Sequence, residues 1–458
     1  MNCASLPSAK PGLRVKPFKE LCAMRRELLF SLLFALPLAA QVAPIPTPTQ
    51  LSGNPFFIRK TWIIGGAGNW DYLTLDPQAQ RLYIAHGRAV QVVDIQSGSV
   101  LGEIGGLRDA HAIALDDLNT NGYISDGPAG AVVVFDRHSL KAQASISVGC
   151  FPRSLAFEPR SRLIFAVCGA NVANPASTPP GRRPAGNAPR PPRATGSDED
   201  NNFAGVSHVI AIDTEKNAAI ADMAISGDFR FAQADGVGNI YVTVAEAELM
   251  DYRNGATHRI DIPPRIAKFD GPAIAAEADR LGADRAPSDS GSPVSMDWTD
   301  SDGRGSRAGF ATLQLPSTCR RPQGIGVDGK DLRLFVACEN QSLLVLNAAS
   351  SQVVTSLTTG PGDDVVGYDS DRNLIFSANG TGYGSLTVIQ QDANTDSYAV
   401  VQSLATLARA RTLAVDPSTG LVYLVTDNMG VDLTPSGGFG TIKPVPVAGS
   451  FQVLVVGH

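Results

Sequence analysis

The chain contains no G-x-S-x-G, no H-E-x-x-H and no C-x-x-C-H. A hydrolase nucleophile elbow, a zincin helix and a covalent haem site are therefore unsupported. It also lacks a C-x-x-C pair, the spacing on which four-cysteine zinc sites are usually built. Positive charge is scarce, with 38 Lys and Arg against 44 Asp and Glu for a formal net charge of −6. A net-negative body gains nothing from counterion release, so nucleic acid is not an expected partner. The apolar run from Leu28 to Leu38 is too short to span a bilayer as a stable helix.

That run instead follows Arg25 and Arg26 and is succeeded by Ala39 and Ala40 before Gln41, the layout of a secretory signal peptide cleaved near Ala40. Residues 1–40 are read as a leader and 41–55, containing APIPTPTQ, as a Pro-rich linker. Met24 is an alternative start, because residues 1–23 add nothing a signal needs. The expected location is periplasmic or secreted. Cleavage would leave 32 basic and 42 acidic residues, a net charge of −10. With 43% hydrophobic and 18% charged residues overall, the remainder has the composition of an ordinary folded protein.

A phrase returns seven times in that remainder: a short apolar strand ending in an acid, a turn, and a strand carrying an aromatic. It reads LTLDPQAQRLYIA at 73–85, AIALDDLNTNGYIS at 112–125, SLAFEPRSRLIFAV at 154–167 and AQADGVGNIYVTV at 232–244. GIGVDGKDLRLFVA at 324–337, VVGYDSDRNLIFSA at 365–378 and LAVDPSTGLVYLV at 413–425 complete the set. Units of roughly 40 residues with about four short strands each predict an all-β, seven-bladed β-propeller over 56–458. FIRKTWII at 57–64 is a spare strand before the first full repeat, whereas the last repeat is one strand short. The N-terminal strand is therefore expected to complete the last blade and close the ring.

Three insertions interrupt the repeats. Residues 171–205 are rich in Pro, Gly and Arg and read as a loop; 271–309 contain a predicted helix at Ala273–Leu281 and then the acidic SMDWTDSDGRG; 428–449 form a Gly/Pro excursion. By blade topology the first and third leave on the same face as the channel mouth. Four cysteines remain after the leader, at matching repeat positions. Cys150 and Cys319 precede a first strand, and Cys168 and Cys338 end a second. Antiparallel neighbours bring those ends together, so disulfides Cys150–Cys168 and Cys319–Cys338 are expected in an oxidising compartment.

The stretches at 317–347, 367–389 and 410–426, with YVT at 241–243, resemble the YVTN-repeat, YncE-like family of exported seven-bladed propellers. The resemblance covers roughly 56–458 outside the insertions. It implies an exported propeller that binds something at its channel mouth, and it assigns no activity.

Counting five residues back from each repeat acid gives Asp71, His111, Arg153, Arg230, Gln323, Asp364 and Arg411. These equivalent positions open the innermost strands and should ring the channel mouth, and all seven are polar. They are the candidate ligand-binding residues. The three arginines should face one axis, repel one another and favour an anion. A second ring, three residues past each aromatic, is His86, Asp126, Cys168, Val244, Cys338, Asn379 and Thr426. His86 and His111 with Asp71 or Asp126 could share a metal, but satisfied histidines are the expected reading, and no metal or cofactor is expected.

The repeat acids themselves are explained as turn initiators bonded to backbone amides. The stretches Asp392–Ser397 and Asp297–Gly303 resemble parts of a calcium loop without a Glu at the twelfth position. GTGYGS at 380–385 has no following Lys and reads as a hairpin connection. The leading expectation is a non-enzymatic exported propeller binding a small anionic or polar molecule, a peptide or a partner protein at the mouth. The alternatives are a propeller enzyme, lactonase-like or of quinoprotein dehydrogenase type, using His111 with Asp71 or Asp364, and an envelope scaffold using its outer blade edges.

Overall fold

Strands dominate the computed structural model because each repeat supplies four short apolar segments separated by turns. The structure describes residues 55–66, 68–169, 206–253, 256–283, 292–298, 309–432 and 443–458. All of them belong to one unit, Pro48–His458. The leader, nearly all of the linker and the whole 171–205 insertion lie outside the described residues. No described helix is long and apolar enough to cross a membrane.

Seven sheets make the blades. In chain order their innermost strands are β2 (Trp70–Asp76), β6 (Ala110–Leu115), β10 (Pro152–Glu158), β14 (Asp228–Ala234), β21 (Pro322–Asp328), β25 (Asp363–Asp369) and β29 (Leu413–Asp416). Each innermost strand is the end strand of its sheet, so one edge of its backbone is unpaired and lines the channel. Strand β2 also packs against β29, which joins the first blade to the last. Closure occurs as expected: β1 (Phe57–Ile63) pairs antiparallel with β33 (Gln452–Gly457), from Phe57 against Gly457 to Ile63 against Gln452. The last blade is therefore β29, β30 (Leu421–Thr426), β33 and β1.

The two recurrent elements of the sequence have structural roles. The repeat aromatics Tyr83, Tyr123, Phe165, Tyr241, Phe335, Phe376 and Tyr423 are at most 1% exposed. Each fills the space between adjacent sheets, where burial of such a ring contributes about 2–3 kcal/mol. The repeat acids cap their own turns. Asp76 accepts Ala79 N at 3.0 Å, Asp116 accepts Leu118 N at 2.9 Å and Glu158 accepts Ser161 N at 2.7 Å. Asp235, Asp328, Asp369 and Asp416 do the same for Val237, Lys330, Asp371 and Ser418. Both disulfides, Cys150–Cys168 and Cys319–Cys338, are formed, each within its own blade.

The insertions are more integrated than their composition suggests. In 271–309 the helix α1 runs Gly271–Ala283 with Ile274 and Ala278 buried. The start of the acidic tract is a strand, β19 (Val294–Trp298), paired in parallel with β13 (Ala218–Ser226) as a fifth strand on the third blade. Alternation explains this outcome: Val294, Met296 and Trp298 are buried while Ser295 is exposed. A further excursion was not expected. The hairpin β16 (Ala247–Arg253) and β17 (Ala256–Ile262) leaves the fourth blade between its second and third strands. Within 428–449 a short hairpin pairs β31 (Met429–Asp432) with β32 (Lys443–Pro446).

Candidate functional site

The seven ring positions coincide with a backbone feature invisible in the sequence. In the first six blades the register between the two innermost strands slips by one residue, from Trp70 to Leu73, Ala110 to Ile113, Pro152 to Ser154, Phe229 to Ala232, Pro322 to Ile325 and Asp363 to Val365. Asp71, His111, Arg153, Arg230, Gln323 and Asp364 each fall inside that β-bulge. A bulge sets two residues against one, twists the strand and re-aims its side chains. The amide it frees is taken by a hydroxyl in some blades: Ala112 N donates to Ser125 Oγ at 2.8 Å, and Phe231 N to Thr243 Oγ1 at 3.2 Å.

The residue after the ring position is aromatic in only two blades, Tyr72 and Phe231. Their rings meet across the channel, from the first blade to the fourth, with centroids 5.0 Å apart. Beyond this pair lies a cavity of about 420 Å³, lined by all seven innermost strands and reaching Asp117 on the turn face. None of the seven ring residues lines it. The ring therefore encircles an aromatic floor and not an open shaft. Burial first, then the Asp71 and Asp364 carboxylates, push the Tyr72 phenol well above its usual value, while the Arg411 and Arg230 guanidiniums pull it down. Four of the five charged ring residues thus act on one central hydroxyl, which stays protonated.

Two of the three ring arginines have carboxylate partners. Arg230 Nη2 lies 2.5 Å from Asp228 Oδ2, and Arg411 Nε lies 3.5 Å from Asp364 Oδ2. The expectation of three arginines relieved only by an anion is corrected for these two, because each already has a carboxylate. Asp228, two residues before Arg230, was missed in the sequence. Arg153 has no ion-pair partner among the described residues and rests over the Phe151 ring at 5.6 Å. The Gln323 carbonyl accepts a hydrogen bond from Thr243 Oγ1 of the preceding blade.

His111 Nδ1 bonds Asp71 Oδ2 at 2.8 Å, as an acid–base pair would require. Its Nε2, however, is buried without a hydrogen-bond partner among the described residues, 3.8 Å from Asp109 Oδ2, and the ring packs on Phe151 at 5.1 Å. The nitrogen that would exchange a proton with a substrate faces protein.

The second ring is buried structure. His86 Nδ1 bonds Gln91 Oε1 at 2.7 Å and the ring stacks on Phe451. Asp126 accepts the Arg108 and Asp109 amides, Asn379 donates to Thr387 Oγ1 at 3.0 Å, and Thr426 donates to the Ala408 carbonyl at 2.6 Å. Val244 is core, and Cys168 and Cys338 are the bridged cysteines. His86 and His111 serve different partners. Among the described residues no group of three or more His, Cys, Asp or Glu is placed to hold a metal ion. Asp392 caps a turn through Asn394 N, and Asp396 pairs with Arg333 at 2.7 Å. Most of 297–303 lies outside the described residues.

No protein-family model and no curated protein matches the chain. The YVTN-repeat resemblance consequently has no family match behind it. Among solved structures, the structure of U3-55K is similar with a TM-score of 0.53 at 8% identity, over 87% of this chain and 98% of that one. The crystal structure of the RRP9 WD40 repeats is similar with a TM-score of 0.53 at 8% identity, over 88% and 97% respectively. At that identity the likeness shows the fold alone. The chain is a seven-bladed β-propeller whose structural neighbours include WD40 propellers.

Proposed function

We propose that this protein is an exported propeller of the YVTN-repeat kind that binds a small polar or charged ligand, a peptide or a segment of a partner protein at its channel mouth, without catalysis. The observation that carries the reading is the coincidence of a polar residue with a β-bulge at the same place in six successive blades. A fold needing only to close its ring has no use for six polar side chains re-aimed over one aromatic floor. Two intrablade disulfides support export, because such bonds persist in oxidising compartments. The catalytic alternative, lactonase-like or quinoprotein-type, has the Asp71–His111 contact in its favour, but the buried Nε2 weighs against it. The envelope-scaffold alternative has in its favour the exposed Phe57 and Ile63 on the outermost strand of the last blade and Val100 and Leu101 on that of the first, which do not recur from blade to blade as the ring does.

Isothermal titration of the mature protein with pooled tripeptides, citrate and inorganic phosphate tests the reading. Wild type should bind at least one probe, and the Asp71→Asn, Arg153→Gln double variant should bind it more than tenfold more weakly with an unchanged unfolding midpoint. Equal binding by the variant, or no binding of any probe by wild type, overturns it.

A further inference from the structure

Resting on the mouth reading above, we infer that the ligand class is zwitterionic: a small molecule or short peptide presenting an ammonium group and a carboxylate on opposite sides of the Tyr72–Phe231 floor. Tyr72 directly follows Asp71, and Phe231 directly follows Arg230. Because those two rings meet across the channel at 5.0 Å, their preceding residues stand on opposite walls above the contact. An acid occupies one wall and a guanidinium the other.

The acidic wall has unused capacity. Asp71 spends Oδ2 on His111 Nδ1, and its Oδ1 has no hydrogen-bond partner among the described residues, while the side chain is 23% exposed. An ionised carboxylate accepts at both oxygens, so Oδ1 is open to a donor from the channel side. His111, its ring packed against Phe151 and its Nε2 buried, orients that carboxylate through Nδ1. On the opposite arc Arg153 has no carboxylate among the described residues. Its neighbour Arg230 holds Asp228 through Nη2. A Cβ placed on Gly169 would lie 3.4 Å from Arg153 Nε and 3.6 Å from Asp228 Oδ1, so Arg153, Asp228 and Arg230 form one continuous arc. This arc carries two cations for one anion. A planar guanidinium without a counter-ion is the usual receptor for a carboxylate.

A ligand with only a negative charge would satisfy Arg153 and leave Asp71 repelling it, and a purely cationic ligand would meet the reverse. Discrimination of this sort comes from the unmatched wall as much as from the matched one. The aromatic floor adds a surface on which an ammonium group or an apolar side chain can rest.

The test uses the mature, disulfide-bonded protein and one pool of tripeptides in four forms: free, N-acetylated, C-amidated and blocked at both ends. The free pool should bind more than tenfold more tightly than either singly blocked pool. Asp71→Asn should abolish the penalty for acetylation and keep the penalty for amidation. Arg153→Gln should do the opposite. If blocked pools bind wild type as well as the free pool does, and the two variants weaken all four forms alike, the zwitterion assignment fails and the mouth reading survives. If blocked and free pools bind wild type and both variants equally, both fail; if no pool binds wild type, the zwitterion assignment fails and the citrate and phosphate titrations decide the mouth reading. The wild-type comparison needs no substitution, so it decides the question even if a variant misfolds.

Discussion

Replacing Asp363 with Asn isolates a buried titration beside the ring. Asp363 is 2% exposed in the sixth blade. Its oxygens accept hydrogen bonds from the hydroxyls of Thr359 and Ser377, the latter at 3.0 Å. Burial is the main cause that pushes its carboxyl up to about 7 from an unfolded value of 3.8, with the two hydroxyls opposing and neighbouring Asp364 adding to the rise. Below pH 3.8 the group is neutral in both states and costs nothing. As pH rises from there to about 7 the unfolded chain releases its proton while the folded protein keeps it, so the stability contributed by the raised value is lost across that window. A difference of about three pK units corresponds to ~4 kcal/mol. Asparagine has the same shape, cannot ionise and can still bond both hydroxyls. Urea unfolding of wild type and Asp363→Asn should therefore agree within ~1 kcal/mol at pH 4, with the variant pulling ahead by ~4 kcal/mol at pH 8. Carboxylates that do not interact with Asp363 cancel between the two proteins, so the difference curve belongs to this site and its coupling to Asp364. A difference that stays constant between pH 4 and 8, or grows toward low pH, refutes the argument.

Serine at Cys150 and Cys168 opens a loop of sequence separation 18 and should lower stability by ~3 kcal/mol in the chain-entropy account, read as a shift in urea midpoint. Gly324→Ala places a Cβ against the Asp364 carbonyl oxygen and 2.8 Å from Val365 Cα. Since backbone cannot yield cheaply, a loss of ~2 kcal/mol or more is expected, and an unchanged midpoint would contradict the contact between the fifth and sixth blades. Deleting residues 56–64 exposes the whole β33 edge and should abolish cooperative calorimetric unfolding or cause aggregation. Shortening 174–200 to a few Gly and Ser residues should leave the calorimetric midpoint within ~3 °C, because loop-closure entropy changes slowly with length.

Blade number, ring closure and the disulfide pairing were legible because each depends on repetition. A propeller blade must present the same wedge to its neighbour seven times, so the aromatics and turn acids recur at fixed offsets. The same arithmetic located the ring residues, since equivalent positions in equivalent blades share one height on the channel wall. Periodicity also misled. The tract SMDWTDSDGRG has the composition of a loop, yet Val294 just before it alternates with Met296 and Trp298 at its start, and this stretch pairs with the free edge of β13 as a strand. The hairpin at 247–262 went unseen because nothing in a repeat count distinguishes an extra pair of strands from a regular one.

The sequence by itself determined the architecture and the height at which the polar ring sits. What only the tertiary structure decided is how the ring residues are held: the β-bulges that re-aim them, the Tyr72–Phe231 contact that crosses the channel, the Asp228 that pairs with Arg230, and the burial of His111 Nε2. The physical reason is range. Repeat spacing records what each blade shares with its neighbours, whereas the Tyr72–Phe231 contact joins residues nearly half the ring apart, and the pairing of Arg230 with Asp228 is peculiar to one blade, so neither is written in the repeat.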